Sequence, residues 1–153
     1  MGTPAAAAVA RAALAALPEL VRARTVAFYS AIGDEVPVEA VAEAVRERGA
    51  RAVYPVVAGA ELELAPDVAR PERVGVGEVD LFVVPALLFD RAGRRLGRGG
   101  GHYDRLLARR RADAWVVGIC YEDRVIAELP EDPWDVRVHV VVTERGVMRP
   151  GAP

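Results

Sequence analysis

Between Asp90 and Arg111 the chain reads DRAGRRLGRGGGHYDRLLARRR. Arg91, Arg94, Arg95, Arg98, Arg105, Arg109, Arg110 and Arg111 crowd this span, and after Asp90 its only acid is Asp104. Gly97, Gly99, Gly100 and Gly101 stand just before what reads as a helix from about Tyr103 to Arg111. Glycines so placed let backbone N–H groups close on phosphate oxygens, and the helix start adds positive potential. Arg98, inside the glycine run, could fork onto a phosphate with two parallel hydrogen bonds. Asp104, in the first helical turn, could reach a magnesium ion bridging such phosphates. A nucleoside triphosphate site is the sharp reading. Two others stay open: a flexible Gly/Arg loop whose basic helix end complements the helix dipole, and arginines that hold an RNA or DNA backbone.

An acidic stretch lies downstream. Glu122, Asp123, Glu128, Glu131, Asp132 and Asp135 are opposed only by Arg124 and Arg137. One of these carboxylates is a candidate to complete a metal site with Asp104; the others read as solvated loop charges.

Positioning such a loop requires strands that end beside it. Thr3-Pro4 reads as an N-cap followed by proline in the first turn, opening an Ala-rich helix that Pro18 ends or kinks. Thr25 to Ser30 is β-branched and aromatic, as in a strand. Val38, Val41, Ala42 and Val45 form one apolar helical stripe, which Gly49 closes. Arg51 to Val57 reads as a strand that Pro55 pushes toward a sheet edge or strand end. Residues 58 to 78 carry only a possible short strand at Glu61 to Leu64. Val79 to Val84, Trp115 to Cys120 and His139 to Thr143 read as further, buried strands. The alternation implies an α/β fold with a mainly parallel sheet, and no linker or repeat divides residues 1–153 into more than one domain.

The 153 residues are enough for one well-buried core. A net charge of −2 gives no global reason for nucleic-acid or membrane-surface binding. The absences narrow the chemistry further. All 20 basic residues are arginine, and there is no Lys, Asn or Gln. A lysine Schiff base and a Walker-type P-loop are therefore excluded. One cysteine, Cys120, and two histidines, His102 and His139, cannot build a typical structural zinc site or an internal disulfide. Cys120 reads as inert core. Arg11 interrupts the apolar N-terminal run and no basic residue precedes it, so it makes a poor signal peptide. Leu81 to Phe89 is too short to span a bilayer. A soluble, cytoplasmic protein is expected.

At GRGGGHYDR the sequence resembles the 5-formyltetrahydrofolate cyclo-ligase family, also called 5,10-methenyltetrahydrofolate synthetases. The family's Val-Pro-Gly-x-x-Phe-Asp is matched by Val84-Pro85-Ala86-Leu87-Leu88-Phe89-Asp90. Its Gly-x-Arg-Leu-Gly-x-Gly-Gly-Gly-Tyr-Tyr-Asp-Arg is matched by Gly93 to Arg105. Upstream, Thr25 to Tyr29 and then Gly33-Asp34-Glu35-Val36 look like its first strand and acidic turn. Downstream, Val117-Gly118-Ile119, Leu129-Pro130, Asp135-Val136 and Val142-Thr143-Glu144 keep its order, so the resemblance covers roughly residues 12 to 145.

The resemblance implies a three-layer α/β/α sandwich and a reaction in which ATP, as co-substrate, activates the formyl group of a reduced folate. It assigns Arg95, Gly97, Arg98, Gly99, Gly100, Gly101, His102 and Tyr103 to ATP, with Arg98 and Tyr103 at the reacting groups. Asp104 and Asp135 would hold Mg2+, and Glu35, with Ser30 beside it, would take the pterin. Small-molecule partners are implied, with neither nucleic acid nor membrane. Four departures stand against the pattern. A basic N-terminal helix bearing Lys and Arg is expected to be missing, with Arg11, Arg22 or Arg24 as possible substitutes. The family's Phe-Gly-Ile…Glu-Pro stretch is not recognisable in residues 71–76. His102 replaces a tyrosine, and His139 replaces a second aspartate. A homologue that binds nucleotide or folate without turnover is the alternative.

Overall fold

The computed structural model describes residues 3–66, 69 and 71–153; Met1, Gly2, Asp67, Val68 and Arg70 lie outside the described residues. The Thr3 hydroxyl caps helix α1 (Pro4–Ala16) by accepting the Ala6 N–H at 3.1 Å. Pro18 then starts a separate short helix, α2 (Pro18–Arg22), as a proline at a first turn should. The chain continues through β1 (Thr25–Ala27), α3 (Glu39–Glu47), β2 (Arg51–Ala58), β3 (Glu61–Ala65) and β4 (Leu81–Val84). Next come β5 (Leu88–Asp90), β6 (Arg95–Leu96), α4 (His102–Ala108), β7 (Trp115–Ile119), β8 (Val125–Ile126), β9 (Val140–Thr143) and β10 (Gly146–Met148).

Seven strands form the main sheet in the order β10-β9-β7-β4-β1-β2-β3. The inner five are parallel, and antiparallel β3 and β10 cover the two edges. Alternation along each strand splits the core. Val26, Leu81, Val83, Val117 and Val140 face α1 and α3; Ala27, Phe82, Val84, Val116 and Val141 face α4. The helix stripe of Val41, Ala42 and Val45 is buried as its spacing requires. The expected three layers are present. The second outer layer, however, also contains a small sheet, β6-β5-β8, within what read as plain loop.

Pro55 acts differently from a simple edge marker. β3 pairs with β2 along its length, so β2 is not an edge. Instead β1 stops early: Phe28 donates its N–H to the Val53 carbonyl at 2.8 Å. A parallel ladder would next draw on the N–H of residue 55, which proline lacks. The chain after Phe28 is thereby released into the loop carrying Tyr29, Ser30 and Glu35, and the strand expected over residues 25–30 ends at Ala27.

Two positions fix the small sheet on the large one. Gly118, on β7, leaves room for Phe89, since an added Cβ would lie 2.4 Å from the ring. Gly118→Ala is expected to destabilise the fold by about 1–3 kcal/mol through overpacking, read as a fall in Tm; an unchanged Tm would contradict this packing. Next to it, Asp90 is fully buried. Its carboxylate accepts the N–H groups of Ala92, Arg94 and Leu129, each at 2.9 Å, and pairs with the Arg94 guanidinium at 3.2 Å. Burial alone would raise its pKa, but these donors outweigh it and hold the group below the usual carboxylate range.

The stabilisation from Asp90 is therefore complete above the ordinary aspartate value near ~3.9 and is lost as pH falls through the lower native value. Asp90→Ala is expected to cost about 3–5 kcal/mol at neutral pH, by stranding buried donors. It should also flatten the acid limb of stability against pH in urea titrations. An acid limb as steep as wild type would show that other carboxylates dominate.

Candidate functional site

The chain leaves β1 for β2 on one side, and β4 lies on the other, so strand order reverses at β1. Ligands in open α/β sheets bind beyond the strand ends at such a point. A cleft of about 580 Å³ lies there, a size suited to a small-molecule ligand. Residues following β1, the Pro85-Ala86 turn after β4, the glycine loop and the 130–135 loop all line it. Each sequence-predicted site residue, from Ser30 and Glu35 through Arg95, Gly97, Arg98, Gly99, Gly100, Gly101, His102, Tyr103 and Asp104 to Asp135, is among its lining residues. Arg11, Arg22 and Arg24 are not.

The glycine loop is shaped by backbone needs. Gly99 and Gly101 have φ of +99° and +68°, and Gly101 is the residue before the first turn of α4. That helix begins at His102 and ends at Ala108, earlier than expected at both ends. Arg98, half-exposed, reaches across to Glu35, Nη2 to Oε2 at 3.4 Å. The other oxygen of Glu35 accepts the Ile32 N–H at 3.0 Å, which orients the carboxylate. A phosphate-type cation and a carboxylate acceptor, 63 residues apart, thus meet in one cleft.

Beneath the loop, Arg95 is nearly buried and pairs with Asp104 at 2.5 Å. Asp104 also accepts the Val136 N–H at 3.0 Å. Burial pushes the Arg95 pKa down, while Asp104 and Asp135 pull against that shift. Burial, and then Glu35, push both Tyr29 and Tyr103 upward, so each hydroxyl stays protonated and able to donate. Tyr29 spends its proton on the Val36 carbonyl at 2.6 Å. Its contribution is to fix the loop that carries Glu35.

Among the described residues no three His, Cys, Asp or Glu side chains form a metal cage. Asp104 and Asp135 nonetheless line the same cleft and both act on Arg95. Magnesium takes one or two carboxylates and completes its shell with phosphates and water. The pair therefore fits a nucleotide-bound ion better than a protein-enclosed one.

Other singled-out residues have structural employment. His139 is buried, and its Nδ1 accepts the Val116 N–H at 2.9 Å. Burial, and then Arg110, lower its pKa and keep it neutral. Burial pushes the Cys120 thiol up to about 12, which leaves it inert. In the acidic stretch, Glu122 accepts from the Thr143 hydroxyl at 2.7 Å and Glu131 binds Arg137 through both oxygens; neither is a simple solvated charge. The basic run is also largely spent within the fold. Arg94 pairs with Asp90, Arg95 with Asp104, Arg105 and Arg109 with Glu61, and Arg111 with Asp80 and Asp113. That distribution does not favour backbone binding to nucleic acid, which needs cations facing outward.

Sequence reasoning missed the cleft's apolar rim. Ile32, Val57, Leu96 and Trp134 are all exposed and all line it. They come from four separate segments; Leu96 lies inside the Arg95 to Tyr103 run, Ile32 between Ser30 and Glu35, and Trp134 beside Asp135, whereas Val57 carried no local signal.

Fold and cleft together define a doubly wound α/β protein with an arginine- and glycine-rich ligand site at the switch point of its sheet. The model of the 5-formyltetrahydrofolate cyclo-ligase family matches residues 3–144. The 5-formyltetrahydrofolate cyclo-ligase of Mycolicibacterium smegmatis is 35% identical over 148 residues, covering 82% of this chain and 76% of its own. That of Escherichia coli K12 is 28% identical over 147 residues, covering 82% and 81%. Two solved 5,10-methenyltetrahydrofolate synthetases share the fold. The Aquifex aeolicus protein has a TM-score of 0.81 at 34% identity over 95% of this chain and 80% of its own. The Mycoplasma pneumoniae protein has 0.82 at 27% identity, over 92% and 85%. The chain belongs to the 5-formyltetrahydrofolate cyclo-ligase family, a family of ligases.

Proposed function

We propose that residues 1–153 work as one domain that converts 5-formyltetrahydrofolate to 5,10-methenyltetrahydrofolate, consuming ATP and releasing ADP and phosphate. The observation that carries this reading is the meeting of Arg98 and Glu35 in the cleft. The first suits a phosphate, and the second suits the donor edge of a pterin.

In this reading the formyl oxygen attacks the γ-phosphorus of ATP as the bond to the ADP oxygen breaks, leaving an iminophosphate at N5. N10 then adds to the formyl carbon. The carbon–oxygen bond to phosphate breaks, phosphate departs with the electron pair and the N10 proton, and the methenyl bridge remains. The protein forms no covalent bond; it positions the reactants and neutralises charge.

Arg98, His102 and the N–H groups of Gly97, Gly99, Gly100 and Gly101 hold the phosphates. Arg95 supports the loop from below and keeps Asp104 in place. Tyr103, protonated, donates to the transferring group. Glu35 orients the pterin with Ser30 beside it. Asp104 and Asp135 would hold Mg2+, which when bound neutralises charge on the phosphates. The reading places the protein in the cytoplasm; no helix among the described residues is long and apolar enough to cross a membrane.

ADP release tests the coupling of the two half-reactions. One ADP is expected per methenyltetrahydrofolate formed, with little release when the folate is omitted. ADP formation indifferent to the folate would contradict the proposal.

A further inference from the structure

We infer that Trp134 is the platform on which the base of the nucleotide stacks, a specificity-determining role resting on the cyclo-ligase reading. The residue is 69% exposed, the most exposed of the large apolar residues described. Leaving an indole in water forfeits the burial it would otherwise gain. It does not hang on a loose segment. The Leu129 N–H is held by Asp90, the Asp132 N–H by Asp135 and the Val136 N–H by Asp104. Glu131 and Arg137 clasp the loop on either side through two hydrogen bonds. An exposed aromatic ring on a loop fixed at both flanks is a preformed stacking surface.

The cleft has two ring-shaped molecules to accommodate and two apolar rims. Ile32 and Val57 belong to the segments that carry Glu35 and Pro55, the wall assigned to the folate. Trp134 directly precedes Asp135, on the wall that carries Asp104 and Arg95, the phosphate and metal side. The nucleotide base therefore falls to Trp134.

Composition supports the same division. With no Asn or Gln in the chain, the paired amide contact to an adenine edge is not available. Stacking on the face of the base needs no such contact and works whatever the base.

The two tryptophans allow a direct test. Trp115 starts β7, packed edge-on against His139, at the end of the strands away from the cleft. In Trp115→Phe, the emission of Trp134 is followed during titration with ATP and with inorganic tripolyphosphate, and calorimetry reports binding in parallel. ATP is expected to quench Trp134 strongly, whereas tripolyphosphate is expected to bind without doing so. Trp134→Ala should weaken ATP binding about 5- to 100-fold while leaving tripolyphosphate and 5-formyltetrahydrofolate affinities within twofold. Trp134→Phe should recover most of the loss.

ATP binding that leaves Trp134 emission and the Trp134→Ala affinity unchanged would overturn this inference alone. So would a loss confined to the folate, which would put the pterin or its benzoyl ring on the indole. No ATP binding by calorimetry would overturn the cyclo-ligase reading and the stacking role together.

Discussion

In Arg98→Ala, formation of methenyltetrahydrofolate is expected to fall by about 10²–10³-fold, the usual cost of removing one donor aimed at developing charge. Stability should hardly change. Arg98 is half-exposed, and its one charged partner among the described residues is Glu35 at 3.4 Å; such pairs contribute about 0–1 kcal/mol. A large loss of turnover with an unaltered Tm separates a role in the reaction from a role in folding. Arg98→Lys should recover only a fraction, because an ammonium cannot make the paired, planar contact of a guanidinium. Turnover within a few-fold of wild type in Arg98→Ala would remove the glycine loop from the chemistry.

Asp104→Ala should abolish turnover as well, and it should also destabilise the fold. Asp104 holds the nearly buried Arg95 at 2.5 Å and the Val136 N–H at 3.0 Å. Removing the carboxylate leaves a buried guanidinium unpaired, a change that costs about 3–5 kcal/mol. Asp104→Asn keeps an oxygen for Val136 and most of the shape. It should therefore unfold less readily than the alanine variant while remaining as inactive. Chemical denaturation of the two variants beside wild type checks the split. Equal stability of all three would mean that Arg95 relaxes into solvent and that Asp104 serves the ligands alone.

How much of this site could be read from the chain depended on how its residues are spaced. Arg95 to Asp104 form one short contiguous run between a strand and a helix, so their clustering needed no tertiary information. Glu35 was different. Taken alone it is an acid before Pro37; only the resemblance assigned it to the pterin, and its place opposite Arg98 needed the structure. Leu96 falls inside that run, but its meeting with Ile32, Val57 and Trp134 in one apolar rim was not legible, because distant segments converge there.

The same distinction holds for the fold. The parallel core was visible in the β-branched runs, whereas β5, β6 and β8 have two or three residues each. Their pairing is set by Phe89 seating over Gly118, across the sheet from its own segment. Pro55 was legible as a disturbance to pairing. Its consequence, freeing the chain after Phe28 to build the cleft, required the register of β1 against β2.

In the proposed reaction this chain, which contains no lysine, closes the methenyl bridge with arginine and backbone donors. The most direct test follows the ultraviolet absorbance of methenyltetrahydrofolate on mixing the purified protein with 5-formyltetrahydrofolate, magnesium and ATP. An increase that needs every component and disappears in Arg98→Ala is expected. Binding of both ATP and folate by calorimetry, with no increase in absorbance, would contradict it and identify a family member that holds its ligands without joining them.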